Sequence, residues 1–439
     1  MLRIKQHEQR SPGDGHWLGP APWIETPPPG PRAQAIIERD RKVASLDRHR
    51  LHPLVASRAY GSVIEDVDGN RYLDFAAGPA TFAAGHAHPK VVAAVERQAR
   101  CLIHVSGSDF YVGRRTRLSE RLASLAPGDL PKHVLLANGG TESIEAAVKL
   151  ARWFTGRPWL VTFTGSFHGW TLGAMALSSS KLGPRHGFGP LLPKVAHLAY
   201  GESDAVEERL SAKHVDPDDV AAVIVEPIQT TDAFVVPPPS FLPALRDLCN
   251  RHGILLIVDE IRTGMGRTGR MFACEHVAVV PDVIVLGLAL GSGMPLGAVI
   301  ADARVMTAAS GALADMPGGN PVSCAAAEAT LDLLEQSYAS NAECLGRRLR
   351  DDLERLADRH RCLGNVGGLG LLSVVDIVKG GSIASPKLRD RILLEAFGRG
   401  LLLLKCGPSS IRFSPPLSIN ETQVDVALHV FEESVNTVT

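Results

Sequence analysis

The chain has 439 residues, of which 45% are hydrophobic and 21% charged, with 42 glycines and a formal net charge of −1. That length suits two or three domains with a large core, and the composition excludes a disordered or fibrous protein. A net charge near zero removes any electrostatic case for nucleic acid or an anionic membrane as partner.

The seven cysteines are scattered and form no CxxC pair, which fits a reducing compartment and argues against a zinc site. The N-terminus, with Arg3, Lys5, His7, Glu8 and Arg10, lacks the apolar core of a secretory signal. No apolar run reaches the roughly 18 residues that a bilayer span needs. The expected location is the cytoplasm.

Residues 1 to about 35 are rich in Pro and Gly, as in Thr26-Pro-Pro-Pro-Gly-Pro31, which disfavours a helix. The segment reads as an extended arm docked on the body or on a partner, or else as a disordered tail. Trp17 and Trp23 favour docking, because an indole is costly to leave in water. Next, Val63–Val67 and Arg71–Phe75 flank Asp68-Gly69, and both turn residues tolerate positive φ, so a hairpin is expected. His86 and His88 precede Pro89, which can open a helix; without further ligand spacing they read as turn or packing residues.

From about residue 133 strand and helix patterns alternate, as a mainly parallel sheet requires. The candidate strands are His133–Ala137, Trp159–Phe163, Ala221–Val225, Ile254–Val258 and Val283–Leu286. Between the first two, Ile144, Ala147, Val148, Ala151 and Phe154 recur at helical spacing over Glu142–Phe154. A long helical stretch over Cys324–Leu349 leads into short glycine-punctuated strands, and a last amphipathic helix starts near Glu421. This order predicts a large domain over 76–330 and a smaller one built from 1–75, arm included, and 331–439.

Several strand ends carry chemistry. Asn138-Gly-Gly-Thr-Glu-Ser143 opens a helix, where free N–H groups and the dipole favour an anion; many ordinary turns look the same. Phe167 and His168 follow a strand, where an aromatic either covers a flat ring or packs in the core. Glu226 and Gln229 stand at the carboxyl end of another strand, either lining a ligand or pairing locally. Asp259 ends the apolar run Ile254–Val258, where a carboxylate must be paired or used. Arg412, in Ile411-Arg-Phe-Ser-Pro-Pro-Leu417, suits a carboxylate or sits on a strand surface.

Taken together, these motifs resemble those of the class III (omega-type) pyridoxal-phosphate aminotransferases, in order and spacing, from about residue 33 to 435. The most specific is Asp259-Glu-Ile-Arg-Thr-Gly-Met-Gly-Arg-Thr-Gly269. The resemblance implies a fold-type I α/β protein with a mainly parallel central sheet, and a homodimer whose site lies at the subunit interface. It implies pyridoxal or pyridoxamine 5'-phosphate as cofactor, and transfer of an amino group between an amino acid or amine and a keto acid. It gives Asp259 the ring nitrogen, Gly139, Gly140 and Thr141 the phosphate, Phe167 the ring face with His168 beside it, Glu226 and Gln229 places around the ring, and Arg412 the substrate carboxylate.

Three departures matter. The Schiff-base lysine position, in Val283-Ile-Val-Leu-Gly-Leu-Ala-Leu-Gly-Ser-Gly293, is Leu288. Met316 stands where the family usually has a threonine that reaches the neighbouring subunit's phosphate, and Thr230-Thr-Asp-Ala233 replaces the usual Gly-Glu-Gly-Gly. No lysine lies between Lys213 and Lys379, which leaves Lys405 as the substitute base to consider. Three readings stay open: altered chemistry with another base, a catalytically silent homologue, or a designed Lys-to-Leu change. Met316 counts against the last, since one designed change does not explain both losses. A fold relic with a purely structural role is the fourth.

Overall fold

The computed structural model describes residues 18–439 other than 46–49, 81, 181–186, 203–205, 213, 214, 233, 309, 310 and 314–317. Trp17, Lys213, Ala233 and Met316 therefore lie outside the described residues.

Near the N-terminus β1 (Ala56–Tyr60), β2 (Val63–Asp66) and β3 (Arg71–Asp74) form an antiparallel meander. The expected turn holds Gly69 at φ 93°. The arm docks on this meander. Trp23 exchanges two backbone hydrogen bonds of 2.8 Å with Arg71, and the Arg71 guanidinium lies 5.4 Å over its ring. The expectation of no helix up to about residue 35 fails at its end, because a helix spans Pro31–Val43. Proline is tolerated at a first helical position, and Asp68 caps the helix from the hairpin by accepting from Arg32 N and Ala33 N at 2.9 Å.

The central sheet contains β4 (Lys132–Ala137), β5 (Trp159–Phe163), β6 (Val195–Leu198), β7 (Val220–Val225), β8 (Leu255–Asp259), β9 (Val283–Leu286) and β10 (Gly297–Asp302). Their spatial order is β4-β10-β9-β8-β7-β5-β6, with β10 antiparallel to both neighbours and the other pairs parallel. The inner strands β7, β8, β9 and β10 are buried on both faces. Along β7, Val223 and Val225 join one apolar layer with Leu245, Leu256 and Val258, while Ala222 and Ile224 join the opposite layer with Ile144, Val148 and Ile257. This is the α/β/α arrangement that continuous apolar strands require.

The helix expected over Glu142–Phe154 spans Gly140–Thr155 and stops at Gly156, whose φ of 68° suits glycine. The long C-terminal helical stretch is Pro321–Leu333, a π turn over Leu334–Tyr338, then Ala339–Arg359. Beyond it lie β11 (Leu363–Gly368), β12 (Ser373–Lys379), β13 (Ile383–Ala384), β14 (Leu401–Leu402), β15 (Leu404–Cys406) and β16 (Ser410–Phe413), before the last helix, Glu421–Val438. An antiparallel sheet has the order β11-β12-β16-β15, with β13 on β12. By contrast β14 leaves it and pairs in parallel with β3, Leu401 opposite Leu73.

His86 and His88 have local partners. His86 Nε2 lies 2.8 Å from Asp74, and His88 accepts from Lys90 N at the start of helix Pro89–Cys101. No cluster of metal-ligating side chains occurs among the described residues, and no helix there is long and apolar enough to cross a membrane.

Candidate active site

Because only β10 is reversed, β4, β5, β7, β8 and β9 open their carboxyl ends on one edge of the sheet. The turns after these strands carry Asn138–Thr141, Phe167 and His168, Glu226 to Gln229, Asp259, and Leu288 in that order. This edge is where open parallel sheets bind ligands. Arg412 reaches it from β16, donating from Nη1 to the Thr230 carbonyl at 3.2 Å.

The centre is a buried ion pair. Asp259 Oδ2 lies 2.7 Å from His168 Nδ1, with both residues almost inaccessible. Asp259 Oδ1 accepts from Ile261 N at 3.0 Å, the His168 ring continues to Thr162 Oγ1 at 3.2 Å, and His168 N donates to Ser178 Oγ. Burial by itself lowers the His168 pKa, but the Asp259 bond and charge, with Glu226 behind them, raise it overall. A buried carboxylate persists only with such partners.

Beside this pair the helix Gly140–Thr155 presents its first N–H groups, which have no intrahelical acceptor. Close approach at this point depends on glycine. A Cβ on Gly287 would come within 2.6 Å of Gly140 Cα, so the turn after β9 presses directly on the helix start. A Cβ on Gly169 would meet Thr141 Oγ1 at 2.5 Å, whereas one on Gly139 would meet nothing within 4 Å. The cradle is therefore walled by Gly169 and Gly287 and open at Gly139. Leu288 follows Gly287 at φ 34°, half-buried in the left-handed region that non-glycine residues rarely adopt.

Glu226 is buried and accepts from Phe167 N at 3.1 Å, which fixes the turn after β5. Burial pushes its carboxyl up to about 7, against the His168 charge. Gln229 is buried too and donates to the Thr164 carbonyl at 3.0 Å. Phe167 is not a core residue. It is half-buried, in edge contact with Trp170 at 5.1 Å, and carries the Arg262 guanidinium 5.3 Å from its ring centre.

Arg262, Thr230 and Thr231 were not singled out as ligand groups from the sequence, though all stand in quoted motifs. Arg262 Nη1 donates to Thr230 Oγ1 and Thr231 Oγ1 at 3.0 and 2.8 Å. The available signal was an arginine three residues after Asp259, following the same strand. Lys405 does not join the site. It is exposed on β15, next to buried Cys406, and strand alternation turns it outward.

A mainly parallel sheet flanked by helices, with this strand-end cluster of side chains and an antiparallel sheet beyond it, defines a fold-type I pyridoxal-phosphate transferase. Residues 44–435 match the family model described as aminotransferase class-III. The chain is 37% identical to the alanine/serine racemase of Pyrococcus horikoshii, over 94% of this chain and 92% of the relative. It is equally identical to the 4-aminobutyrate aminotransferase of Escherichia coli, over 91% and 97%. The ornithine aminotransferase structure from Toxoplasma gondii superposes with a TM-score of 0.85 at 31% identity, over 92% of this chain and 95% of that one. The chain belongs to the class III aminotransferase family, whose cofactor is pyridoxal 5'-phosphate, carried also as pyridoxamine 5'-phosphate.

Proposed function

We propose that this chain holds the family's cofactor at the strand-end site and moves an amino group between an amino acid or amine and a keto acid. The observation that carries the reading is the buried Asp259–His168 pair beside a helix start that is open at Gly139 and walled at Gly140 and Thr141. The free N–H groups there and the Thr141 hydroxyl suit a phosphate. Asp259 suits a ring nitrogen that has to stay protonated, and Phe167 supplies an aromatic for the ring. Bound cofactor supplies a carbonyl or amine for exchange and a ring that withdraws electrons. The chain's own residues orient and charge the site: His168 and Ile261 N aim Asp259, Glu226 and Gln229 fix the turn that carries Phe167, and Arg412 takes a substrate carboxylate.

In this reading residue 288 occupies the position of the family's cofactor-binding lysine. Leucine offers no amine to hold the cofactor covalently or to carry a proton. That residue supports a second reading, a silent or chemically diverged homologue that binds cofactor or serves a partner subunit.

The reading extends to a homodimer, supported by the exposed apolar Ile103, Phe110 and Tyr111. It includes a large domain over 76–330, completed by a smaller one from 1–75 and 331–439, and a cytoplasmic location, supported by seven unpaired cysteines.

The test is a visible-absorbance titration with pyridoxal phosphate, then borohydride reduction and intact mass. The wild type should bind saturably without a reduced adduct, and Leu288→Lys should gain one cofactor mass. An adduct in the wild type would assign the tether to another lysine, and no binding would sink the cofactor reading. Amino-acid product from pyridoxamine phosphate and a keto acid separates the active reading from the silent one.

A further inference from the structure

Resting on the reading above, the geometry points to Arg262 and Arg412 as a paired cationic clamp for a small dicarboxylate, which makes Arg262 a substrate-selecting residue. The two guanidinium groups flank one residue. Arg262 donates to the Thr230 hydroxyl and Arg412 to the Thr230 carbonyl. Thr231 Oγ1 completes the seat of Arg262.

All of these acceptors are neutral. The carboxylates nearest to Arg262 are Glu226 and Asp259, and each already has a partner, Phe167 N and His168. Arg412 is nine-tenths buried, and its Nε has no acceptor among the described residues. Behind it the wholly buried Arg267 donates to the Leu371 and Pro415 carbonyls, and its Nε and Nη2 also lack acceptors. Cys406 is the nearest acidic group that both clamp arginines share, and burial pushes its thiol up to about 11, so it stays neutral.

A half-buried and a buried guanidinium group with neutral seats repel each other, and desolvation lowers the pKa of both. One carboxylate would neutralise one of them. A ligand with two carboxylates a few bonds apart would satisfy both and leave no cation unmatched. A hydroxyl seat also leaves the remaining guanidinium N–H groups of Arg262 free to donate.

The full-length protein should be titrated by calorimetry with malonate, succinate, acetate and inorganic phosphate, with and without saturating pyridoxal phosphate. At least one dicarboxylate should bind about tenfold more tightly than acetate, the share of one charge-assisted hydrogen bond. Arg262→Gln should remove that preference, bringing the dicarboxylate and acetate affinities together. Should that variant fail to fold by circular dichroism, Thr231→Val, which loosens the seat of Arg262, should reduce the preference by about threefold. Equal wild-type affinities for acetate and both dicarboxylates would overturn the clamp, as would a preference that survives Arg262→Gln. Arginine-dependent binding of phosphate without dicarboxylate preference would overturn it too, assigning the cations to a phosphoryl group. Absent pyridoxal phosphate binding would count only against the functional reading, since the dicarboxylate titration is also read without cofactor.

Discussion

The turns after β8 and β9 lie side by side at the same sheet edge and are built in opposite ways. The first buries a charge, and both carboxylate oxygens of Asp259 are held, one by His168 Nδ1 and the other by Ile261 N. The second buries backbone. Gly287 is pressed against Gly140, and Leu288 adds only hydrocarbon. Removing one member of a buried ion pair leaves an orphaned charge, so Asp259 and His168 stand or fall together. A leucine at 288 brings no charge to be matched, and its cost is the left-handed backbone at φ 34°. The groups that hold a ligand are thus welded into the core, while the position next to them can change its chemistry at little cost in stability.

The largest effect should come from breaking the welded side. Asp259→Ala should lose about 3–5 kcal/mol of stability by urea unfolding, together with pyridoxal phosphate binding. A loss below 1 kcal/mol would show that His168 simply discharges.

Acidity should separate the two turns next. Burial pushes Glu226 and Glu260 up to about 7 from an ordinary 4.5. Such a carboxyl stabilises the fold fully below about pH 4.5, loses that contribution as pH rises towards 7, and contributes nothing above. His168, with its pKa also raised, follows the same direction at higher pH, keeping its contribution below 6.5 and losing it above its raised value. The melting temperature should therefore fall from pH 5 to pH 8. Glu260→Gln should flatten the fall, by on the order of 2 kcal/mol, because Thr263 and Cys274 N can still bond the amide. An unchanged slope would place the titration elsewhere.

Thr231→Glu puts a carboxylate against Arg262, and dicarboxylate affinity should then drop about tenfold in the same calorimetric titration. The smallest effect should fall on the second turn. Leu288→Ala should cost about 1 kcal/mol or less by urea unfolding, since the side chain is only half-buried. A loss like that of Asp259→Ala would erase the contrast.

The strands were legible because each buried run is continuous and short; Val283–Leu286 was read to the residue. Asp259 was legible because a carboxylate ending such a run has few reasons to be there. What escaped depends on contacts distant in sequence. The helix Pro31–Val43 takes its cap from Asp68, across a turn that local pattern cannot connect to it. The bond from Gln229 to the Thr164 carbonyl likewise joins two strand ends that spacing does not connect. Arg262 sat inside the most specific motif, yet its neighbours Thr230 and Thr231 come from another strand end, so its charge environment could not be read from spacing.

The parallel pairing of Leu73 with Leu401 has a consequence for synthesis. The meander formed by β1, β2 and β3 emerges early, but the strand that completes its sheet emerges only after most of the chain has been made. At ordinary translation rates that interval is roughly 20–60 s. Over this time Leu73 and Phe75, fully buried in the finished protein, have no β14 to cover them. A chain that stops short of residue 400 leaves that first sheet open along the β3 edge.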